Sequence, residues 1–206
     1  MPRGFNERER EQIRAQLIEK GRELFGSYGL RRTNVEDLTG AVGISKGAFY
    51  LFFDSKEELF FEIIRRFEAE YRAEVFDDAP APGVAPRERV RRLLERAFSA
   101  WRSSPLFTRF QEEDLEHLRR RLPPEALEAG LRDDEAFVAE LLDRWRSEGM
   151  PVASDPAMVT ALMRALFYVS LHAADFDPAV YPRLIELLID LAAGHLVGAG
   201  GGDGRA

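Results

Sequence analysis

Side chains that could bind phosphate lie together in one short segment of the chain. Ser45 carries a hydroxyl, Lys46 an ammonium group and Tyr50 a phenol. Between them, Gly47 and Ala48 add almost no bulk. A serine ahead of a helix caps its free amides, a cation beside exposed amides attracts phosphate, and small residues let a helix backbone approach a duplex closely. The segment predicts contact with a nucleic acid, although the same residues also suit a tight corner in a helical bundle.

Two short helical patterns on either side of a glycine must position this segment. Asn34 can cap the first helix, with Asp37 near the positive end of the helix dipole. Gly43 follows where a helix often ends in a left-handed conformation, which glycine adopts without steric cost. Ile44 can fill the corner, and Ser45 can cap the second helix. This order predicts a helix-turn-helix.

An aromatic cluster and another helix start follow the turn. Phe49, Phe52 and Phe53 concentrate apolar bulk within a few residues. Ser55 and Glu58 then have the spacing of a capping box, in which each side chain accepts a hydrogen bond from the backbone amide of the other. A further helix is therefore expected to begin near residue 56.

An amphipathic helix is expected ahead of the turn. Asn6 and Glu9 form a box-like capping pair at its start. Its apolar side chains at helical spacing are Ile13, Leu17, Leu24, Phe25 and Tyr28. Arg31 and Arg32 stand just before Thr33, where cations could touch a sugar-phosphate backbone. An ordinary solvated basic pair is the alternative.

Taken in order, these features resemble the TetR family of bacterial transcriptional repressors. The resemblance covers roughly residues 10–62 and rests on the stretch TNVEDLTGAVGISKGAFYLFFDSKEEL. It implies an all-α protein with an N-terminal three-helix helix-turn-helix DNA-binding domain over residues 1–55. A larger C-terminal helical bundle for ligand binding and dimerisation is expected over residues 56–197.

Carried over by position, the resemblance implies a set of DNA contacts. The expected phosphate contacts are Thr33, Tyr50 and Lys56. The residues expected to face the major groove are Ser45, Lys46, Gly47 and Ala48. Leu51 and Phe52 depart from the family, where histidine, tyrosine or tryptophan is common, and Ala48 replaces threonine but leaves a methyl that can pack on thymine. We expect phosphate positioning and DNA shape to carry much of the selectivity.

The charges are unevenly distributed along the chain. The net charge of -7 over 206 residues argues at first against DNA, because binding a duplex requires a basic footprint. However, residues 1–56 hold 10 Lys or Arg against 8 Asp or Glu, whereas the rest hold 19 against 28. The acidic surplus lies away from the motif, where it would lower nonspecific affinity for DNA.

From residue 56 onward the sequence predicts helices and no strand. A long helix is expected from Lys56 to about Asp77, and the three prolines and one glycine of residues 79–86 indicate a linker or loop. Residues 198–206 are glycine-rich, which predicts a disordered tail. Further helices are expected over about 87–104, 105–122, 124–148, 156–174 and 178–197.

The last two helices are apolar on more than one face. In the first, Met158 and Leu162 lie on one side and Val159 on another. The second carries a stripe of Leu184, Leu187, Leu188 and Leu191. The resemblance implies a homodimer through these two helices, whose two-fold axis would present two recognition helices to a palindromic operator. The alternative is that both faces are internal core.

The resemblance also implies a small-molecule effector that binds the C-terminal bundle and releases the DNA. The candidate lining residues are Trp101, Phe107, Phe110, Trp145, Arg164, Phe167, Tyr168 and His172. Their aromatic character favours an apolar or amphipathic effector, and Arg164 could pair with a ligand carboxylate or phosphate. Each aromatic could equally be ordinary core, Arg164 could form a structural ion pair, and His172 could satisfy a local hydrogen bond.

Other classes of protein fit the sequence less well. The chain has no cysteine, and its three histidines are far apart and outside any metal-ligand spacing, so we predict no metal, no cofactor and no enzymatic activity. No apolar run approaches the roughly 18 residues that cross a membrane, and no signal-peptide core follows Met1, so a cytoplasmic protein is expected. A helical adaptor that binds only protein would leave the segment SKGAFY without a purpose. Activation in place of repression stays open.

Overall fold

The computed structural model describes residues 5–76, 83–152 and 154–198. These ranges contain ten α-helices, one short 3-10 turn and no β-strand, so the predicted all-α fold is confirmed. Half of the predicted linker, residues 79–82, lies outside the described residues, and so does nearly all of the predicted disordered tail over residues 198–206. The helices are α1 (Glu7–Tyr28), α2 (Val35–Val42), α3 (Lys46–Phe49), α4 (Lys56–Phe76), α5 (Pro86–Ser103), α6 (Pro105–Thr108), α7 (Glu112–Arg121), α8 (Pro124–Ser147), α9 (Pro156–Leu171) and α10 (Tyr181–Leu196).

Local capping interactions place the first helix starts where the sequence predicts them. Asn6 Oδ1 accepts a hydrogen bond from the Glu9 N–H at 2.9 Å, and the Glu9 carboxylate accepts from the Asn6 N–H at 2.8 Å. At the start of α2, Asp37 Oδ2 accepts from the Asn34 N–H at 2.8 Å. These bonds satisfy amides that have no partner within the helix.

The predicted capping box before α4 forms on one side only. Ser55 Oγ accepts a hydrogen bond from the Glu58 N–H at 3.1 Å, as expected. The Glu58 carboxylate, however, accepts from the N–H of Asp54 and not from that of Ser55. The turn at residues 50–52 leads directly into this segment and brings the earlier amide within reach.

The single helix predicted over residues 105–122 is two helices, α6 and α7. A second cap explains the break, because Asp114 Oδ2 accepts a hydrogen bond from the Gln111 N–H at 3.1 Å and so starts a new helix. Asp114 is only 6% exposed.

The two C-terminal helices are shorter than predicted. After α9, residues Ala173–Asp175 form a 3-10 turn. The N–H groups of Val180 and Tyr181 both donate to the Asp177 carbonyl at 2.9 Å, and the Asp177 carboxylate accepts from the Ala179 N–H at 2.7 Å. This local turn delays the start of α10.

The chain divides into two compact units. The first comprises Met1–Tyr71 and Arg102–Pro124, and the second comprises Arg72–Trp101 and Glu125–Ala206. The domain boundary at residue 55 stays a prediction. Aromatic side chains of α4 and α6 pack together in the first unit.

Aromatic packing holds the first unit together. The rings of Phe25 and Phe60 meet edge to face with centroids 5.0 Å apart, and Phe60 stacks on Phe110 at 5.9 Å. Gly21 lets α1 and α4 come close, since a Cβ built there would lie 2.8 Å from Ile63 Cδ1. Edge-to-face and offset aromatic pairs add stability beyond their buried area. Helix α1 therefore packs closely against α4.

The second unit has an aliphatic core and an ion pair between α5 and the residue that follows α8. Its most buried side chains include Val90 on α5, Leu142 on α8 and Ala193 on α10, each 0% exposed. Arg89 on α5 pairs with Glu148 at 2.6 Å. None of the helices in the described residues combines the length and apolarity that crossing a membrane requires.

Candidate nucleic-acid interface

The turn between α2 and α3 is fixed by one backbone conformation and one side-chain cap. Gly43 lies in the left-handed region with φ 77° and ψ 30°, and its N–H donates to the Thr39 carbonyl at 2.8 Å. Ser45 Oγ accepts from the Ala48 N–H at 3.1 Å. Gly43 thus ends α2 and Ser45 begins α3. The helix-turn-helix predicted from the sequence is present.

Phe49 determines which side chains of this segment face outward. Its ring is 0% exposed and contacts the ring of Phe53 with centroids 6.1 Å apart. Successive residues of a helical turn point in different directions, so burying Phe49 turns its neighbours away from the core. We call the surface formed by these neighbours the recognition surface. It consists of Ser45, Lys46, Gly47, Ala48 and Tyr50.

The residues that depart from the family pattern lie next to the recognition surface. Tyr50 is 48% exposed and Leu51 is 56% exposed, so a phenol and an apolar side chain stand side by side. Phe52 is half-buried: its ring lies 6.0 Å from that of Phe5, and the Arg10 guanidinium lies 5.5 Å above it. Leu51 is thus available to a partner, whereas Phe52 packs within the protein.

Lys46 is held by a carboxylate of the neighbouring helix. Its Nζ lies 2.6 Å from Glu36 Oε1, and the side chains are 55% and 62% exposed. The hydrogen bond with Glu36 raises the pKa of Lys46, and the same bond lowers the pKa of Glu36. The sequence analysis missed this pair, whose only signal is a glutamate one helix before the lysine. In the free protein, the main cation of the recognition surface is therefore already paired with Glu36.

Thr33 and Lys56, both predicted phosphate contacts, make internal bonds in the structure. Thr33 is 1% exposed, and its hydroxyl donates to the Gly29 carbonyl at 2.9 Å. The Lys56 ammonium donates to the carbonyls of Leu30 at 2.9 Å and Thr33 at 2.7 Å. Both side chains hold the turn between α1 and α2. Burial, together with the charge of Arg121, lowers the pKa of Lys56.

These internal bonds change what can be expected of the two residues. The Thr33 hydroxyl points into the protein, so a phosphate contact through that hydroxyl does not fit this geometry. Lys56 is half-buried, and its ammonium group already donates to backbone carbonyls. A phosphate would therefore compete with these carbonyls for the ammonium group. In the turn between α1 and α2, Arg31 and Arg32 are exposed cations.

A second charged contact missed by the sequence analysis joins α7 to the first turn of α4. His117 Nε2 lies 2.8 Å from Glu57 Oε1, and the Glu57 side chain is only 4% exposed. Burial by itself would raise the pKa of Glu57, but the hydrogen bond with His117, the backbone hydrogen bond and the charge of Lys56 together lower it. No local pattern could reveal a contact between residues so distant in sequence.

The ligand candidates are divided between the two units. In the second unit, the rings of Trp101 and Phe167 meet edge to face with centroids 4.8 Å apart, and Tyr168 lies 5.7 Å from Phe167. Trp145 is also in this unit and is 4% exposed. The structure therefore brings three of the predicted side chains into one aromatic cluster.

Phe107 and Phe110 pack against other aromatic side chains. They belong to the first unit, where Phe107 contacts Phe67 with centroids 5.4 Å apart and Phe110 stacks on Phe60 at 5.9 Å. They are 9% and 8% exposed. This burial and these ring contacts are typical of core side chains, which is the alternative to ligand binding given in the sequence analysis. The sequence could not distinguish the two cases because both place an aromatic at helical spacing.

The two polar candidates are Arg164 on α9 and His172 just after its end. Arg164 precedes Phe167 and Tyr168 by three and four residues on α9, so it shares their side of the helix. Among the residues that the structure describes, it forms no ion pair with a carboxylate. His172 Nδ1 lies 3.1 Å from Asp175 Oδ2, which is the local hydrogen bond considered above. Within the described ranges, no group of His, Asp and Glu side chains is arranged to hold a metal ion.

A family model covers the helix-turn-helix. The model described as "Bacterial regulatory proteins, tetR family" matches residues 17–63. These residues include the second half of α1, all of α2 and α3, and the start of α4. The match therefore contains the whole recognition surface.

Two curated relatives are repressors. The chain is 30% identical over 105 residues to the HTH-type transcriptional repressor KstR2 of Rhodococcus jostii (strain RHA1), covering 51% of each protein. It is 32% identical over 91 residues to the HTH-type transcriptional repressor DhaR of Mycobacterium sp. (strain GP1), covering 43% of this chain and 42% of DhaR. The chain thus spans about half the length, or less, of these two relatives.

A solved structure extends the similarity of fold to nearly the whole chain. The crystal structure of a TetR-family transcriptional regulator from Pectobacterium atrosepticum superposes with a TM-score of 0.66. The alignment covers 94% of this chain and 99% of that chain at 22% identity. At this identity the likeness concerns the fold alone.

Proposed function

Since the chain belongs to the TetR family of bacterial transcriptional regulators, we propose that it is a homodimeric repressor. It binds a palindromic operator and leaves it when a small apolar or amphipathic effector binds. The family consists of regulators and not of enzymes. The two relatives described above are both repressors, which favours repression over activation.

The observation that carries the proposal is the recognition surface. Phe49 anchors the segment in the core, and this leaves a lysine, a serine and a tyrosine exposed around two small residues. Such a surface lets a helix backbone approach a major groove while Tyr50 and Ser45 offer hydroxyls to phosphate or base edges. The exposed Leu51 and the partly exposed Ala48 offer methyl groups that suit contact with thymine.

Phosphate contacts would come from cations around this surface. Arg31 and Arg32 are exposed in the turn before α2. We assign residues 1–55 to DNA binding on this basis. Each neutralised phosphate releases counterions, so the affinity should fall steeply with salt.

Dimerisation is supported by apolar side chains left at the surface of the last two helices. Met158 on α9 is 47% exposed, and Leu187 and Leu191 on α10 are 54% and 58% exposed. Leu187 and Leu191 lie one turn apart on the same side of α10. A second copy of the chain would cover this face, and a two-fold axis would set two recognition surfaces about 34 Å apart, one turn of DNA.

Effector binding is assigned to the second unit, within residues 56–197. The cluster of Trp101, Phe167 and Tyr168 offers aromatic surface, and Arg164 lies beside it on α9. These side chains suit a ligand with an apolar body and one anionic group. Release of DNA then requires that the effector bind more tightly to a conformation that fits the operator poorly. A protein acting on the chromosome in this way works in the cytoplasm.

The test is a selection of bound fragments from the source genome, with purified full-length protein, followed by titration of the best fragment at two salt concentrations. We expect a palindromic site with a Kd of about 10⁻⁸ to 10⁻¹¹ M and a steep dependence on salt. A matched variant, Lys46→Gln, should weaken binding without changing the thermal unfolding curve.

Two results would contradict the proposal. The first is a folded, ligand-free protein that enriches no fragment. The second is an enriched fragment whose affinity is insensitive to salt and to Lys46→Gln. Mass spectrometry of the purified protein excludes a co-purified effector as the cause of the first result.

A further inference from the structure

The ion pair between Glu36 and Lys46 does not serve the helix cap. Two acidic residues stand in the first turn of α2, and Asp37 already accepts the Asn34 N–H at 2.8 Å. Glu36 instead extends to α3, where its Oε1 lies 2.6 Å from Lys46 Nζ. A negative charge thus lies next to the main cation of the recognition surface.

Lys46 can bind DNA only at the expense of this pair. Either its ammonium leaves Glu36, or a phosphate comes next to a carboxylate of like charge. An exposed pair is weak in water, but like charges brought together at a DNA surface repel strongly because DNA is densely charged. The cost is the same for every DNA sequence.

The interaction that offsets this cost depends on the DNA sequence. A base edge with two acceptors, such as that of guanine, can take the lysine in a fixed geometry, whereas a phosphate is offered by any duplex. We propose that Glu36 is a specificity-determining residue: it holds Lys46 in the free protein and so penalises DNA that offers Lys46 nothing better than a phosphate. This inference rests on the proposed function, because it presumes that the recognition surface binds DNA.

The decisive variant is Glu36→Gln, measured on two duplexes of equal length, the selected operator and a scrambled sequence. Freeing Lys46 adds about one phosphate contact on scrambled DNA, so the slope of log K against log salt should steepen by about 0.9. We expect the affinity for scrambled DNA to rise roughly five- to tenfold and that for the operator to change less than threefold. The ratio of the two affinities should therefore fall.

The chain offers a matched control for the change of charge. Glu23 pairs with Lys20 at 2.9 Å on α1 and is 57% exposed, comparable with Glu36. Glu23→Gln removes the same charge from the same unit and should leave both affinities unchanged. Thermal unfolding of both variants checks that the fold is intact.

A second variant tests whether the effect passes through Lys46. In the Lys46→Gln background, Glu36→Gln should no longer change the affinity for scrambled DNA. An effect that persists there would mean that Glu36 acts by repelling phosphate directly, and it would overturn the proposal.

The remaining outcomes are also distinguishable. If Glu36→Gln leaves both affinities unchanged while the wild-type protein binds its operator, the role of Glu36 is refuted and the proposed function stands. If the folded wild-type protein binds no DNA, the proposed function fails and the role of Glu36 fails with it.

Discussion

At the scale of single residues, two glycines of α2 differ in what they require of the backbone. Gly43 has φ 77°, a conformation in which a Cβ clashes with the following carbonyl oxygen. Gly40 is an ordinary helical glycine, and a Cβ built on either glycine would meet nothing within 4 Å. Space is therefore equal at the two positions, and only the backbone conformation distinguishes them.

We predict opposite effects for alanine at these positions. Gly43→Ala should lower the free energy of unfolding by about 1–2 kcal/mol because alanine is strained in the left-handed region. Gly40→Ala should raise it by about 0.5–1 kcal/mol because alanine is the better helix former. Urea unfolding of the full chain measures both. Equal stability of the two variants would show that the turn does not depend on Gly43.

At the scale of elements, the contact between Glu57 and His117 ties α7 to α4. Glu57 is next to Lys56, which holds the turn between α1 and α2 through carbonyls of Leu30 and Thr33. The turn between α1 and α2 is thus bonded to α4 at the same end where α7 bonds to it.

The stability should depend on pH through Glu57. Its pKa is lower in the folded protein than the ordinary value of 4.5, so its contribution is present above pH 4.5 and is lost as the pH falls through the folded pKa. Glu57→Gln should be less stable at pH 7 and lose less stability on acidification. His117→Ala should cost about 1–3 kcal/mol, since the carboxylate loses its partner.

Urea unfolding at several pH values between 7 and 3 provides the measurement. Glu113→Gln is the control, because Glu113 is an exposed acidic residue of α7, the helix that carries His117. His117→Gln retains a donor and should recover part of the loss. A pH profile of Glu57→Gln that matches the wild-type profile would exclude Glu57 as the cause.

At the scale of the whole molecule, the exposed leucines of α10 are the best-placed surface for a second copy. An isologous interface brings the same patch of both copies together, so each substitution acts twice. Leu131 on α8 is also an exposed leucine, 42% exposed, and lies outside this patch. It offers a control for the general effect of placing a charge on an apolar surface position.

We predict that the double variant Leu187→Glu and Leu191→Glu is a folded monomer in analytical ultracentrifugation. Buried central leucines of an interface are worth about 2 kcal/mol or more each, and unpaired carboxylates there add a further cost. Leu131→Glu should remain dimeric. The double variant should bind the full palindrome at least about tenfold more weakly but keep its affinity for a half-site. A double variant that stays dimeric would place the interface elsewhere.

The sequence by itself determined the features that depend on neighbouring residues. Helix positions follow from apolar spacing, and the caps at Asn6 and Ser45 and the stop at Gly43 follow from interactions within four residues. The helix-turn-helix and its exposed Lys46 and Tyr50 could therefore be predicted. Their conformation is set by backbone sterics and local hydrogen bonds, which do not require the rest of the chain.

Only the tertiary structure decided which distant partners each side chain has. It turned Thr33 inward, gave Lys56 carbonyl partners, and placed Phe107 and Phe110 in the first unit. It also paired Glu57 with a histidine 60 positions away. The spacing of residues along one helix fixes the face on which each lies but not what covers that face. That choice depends on how all the helices pack together.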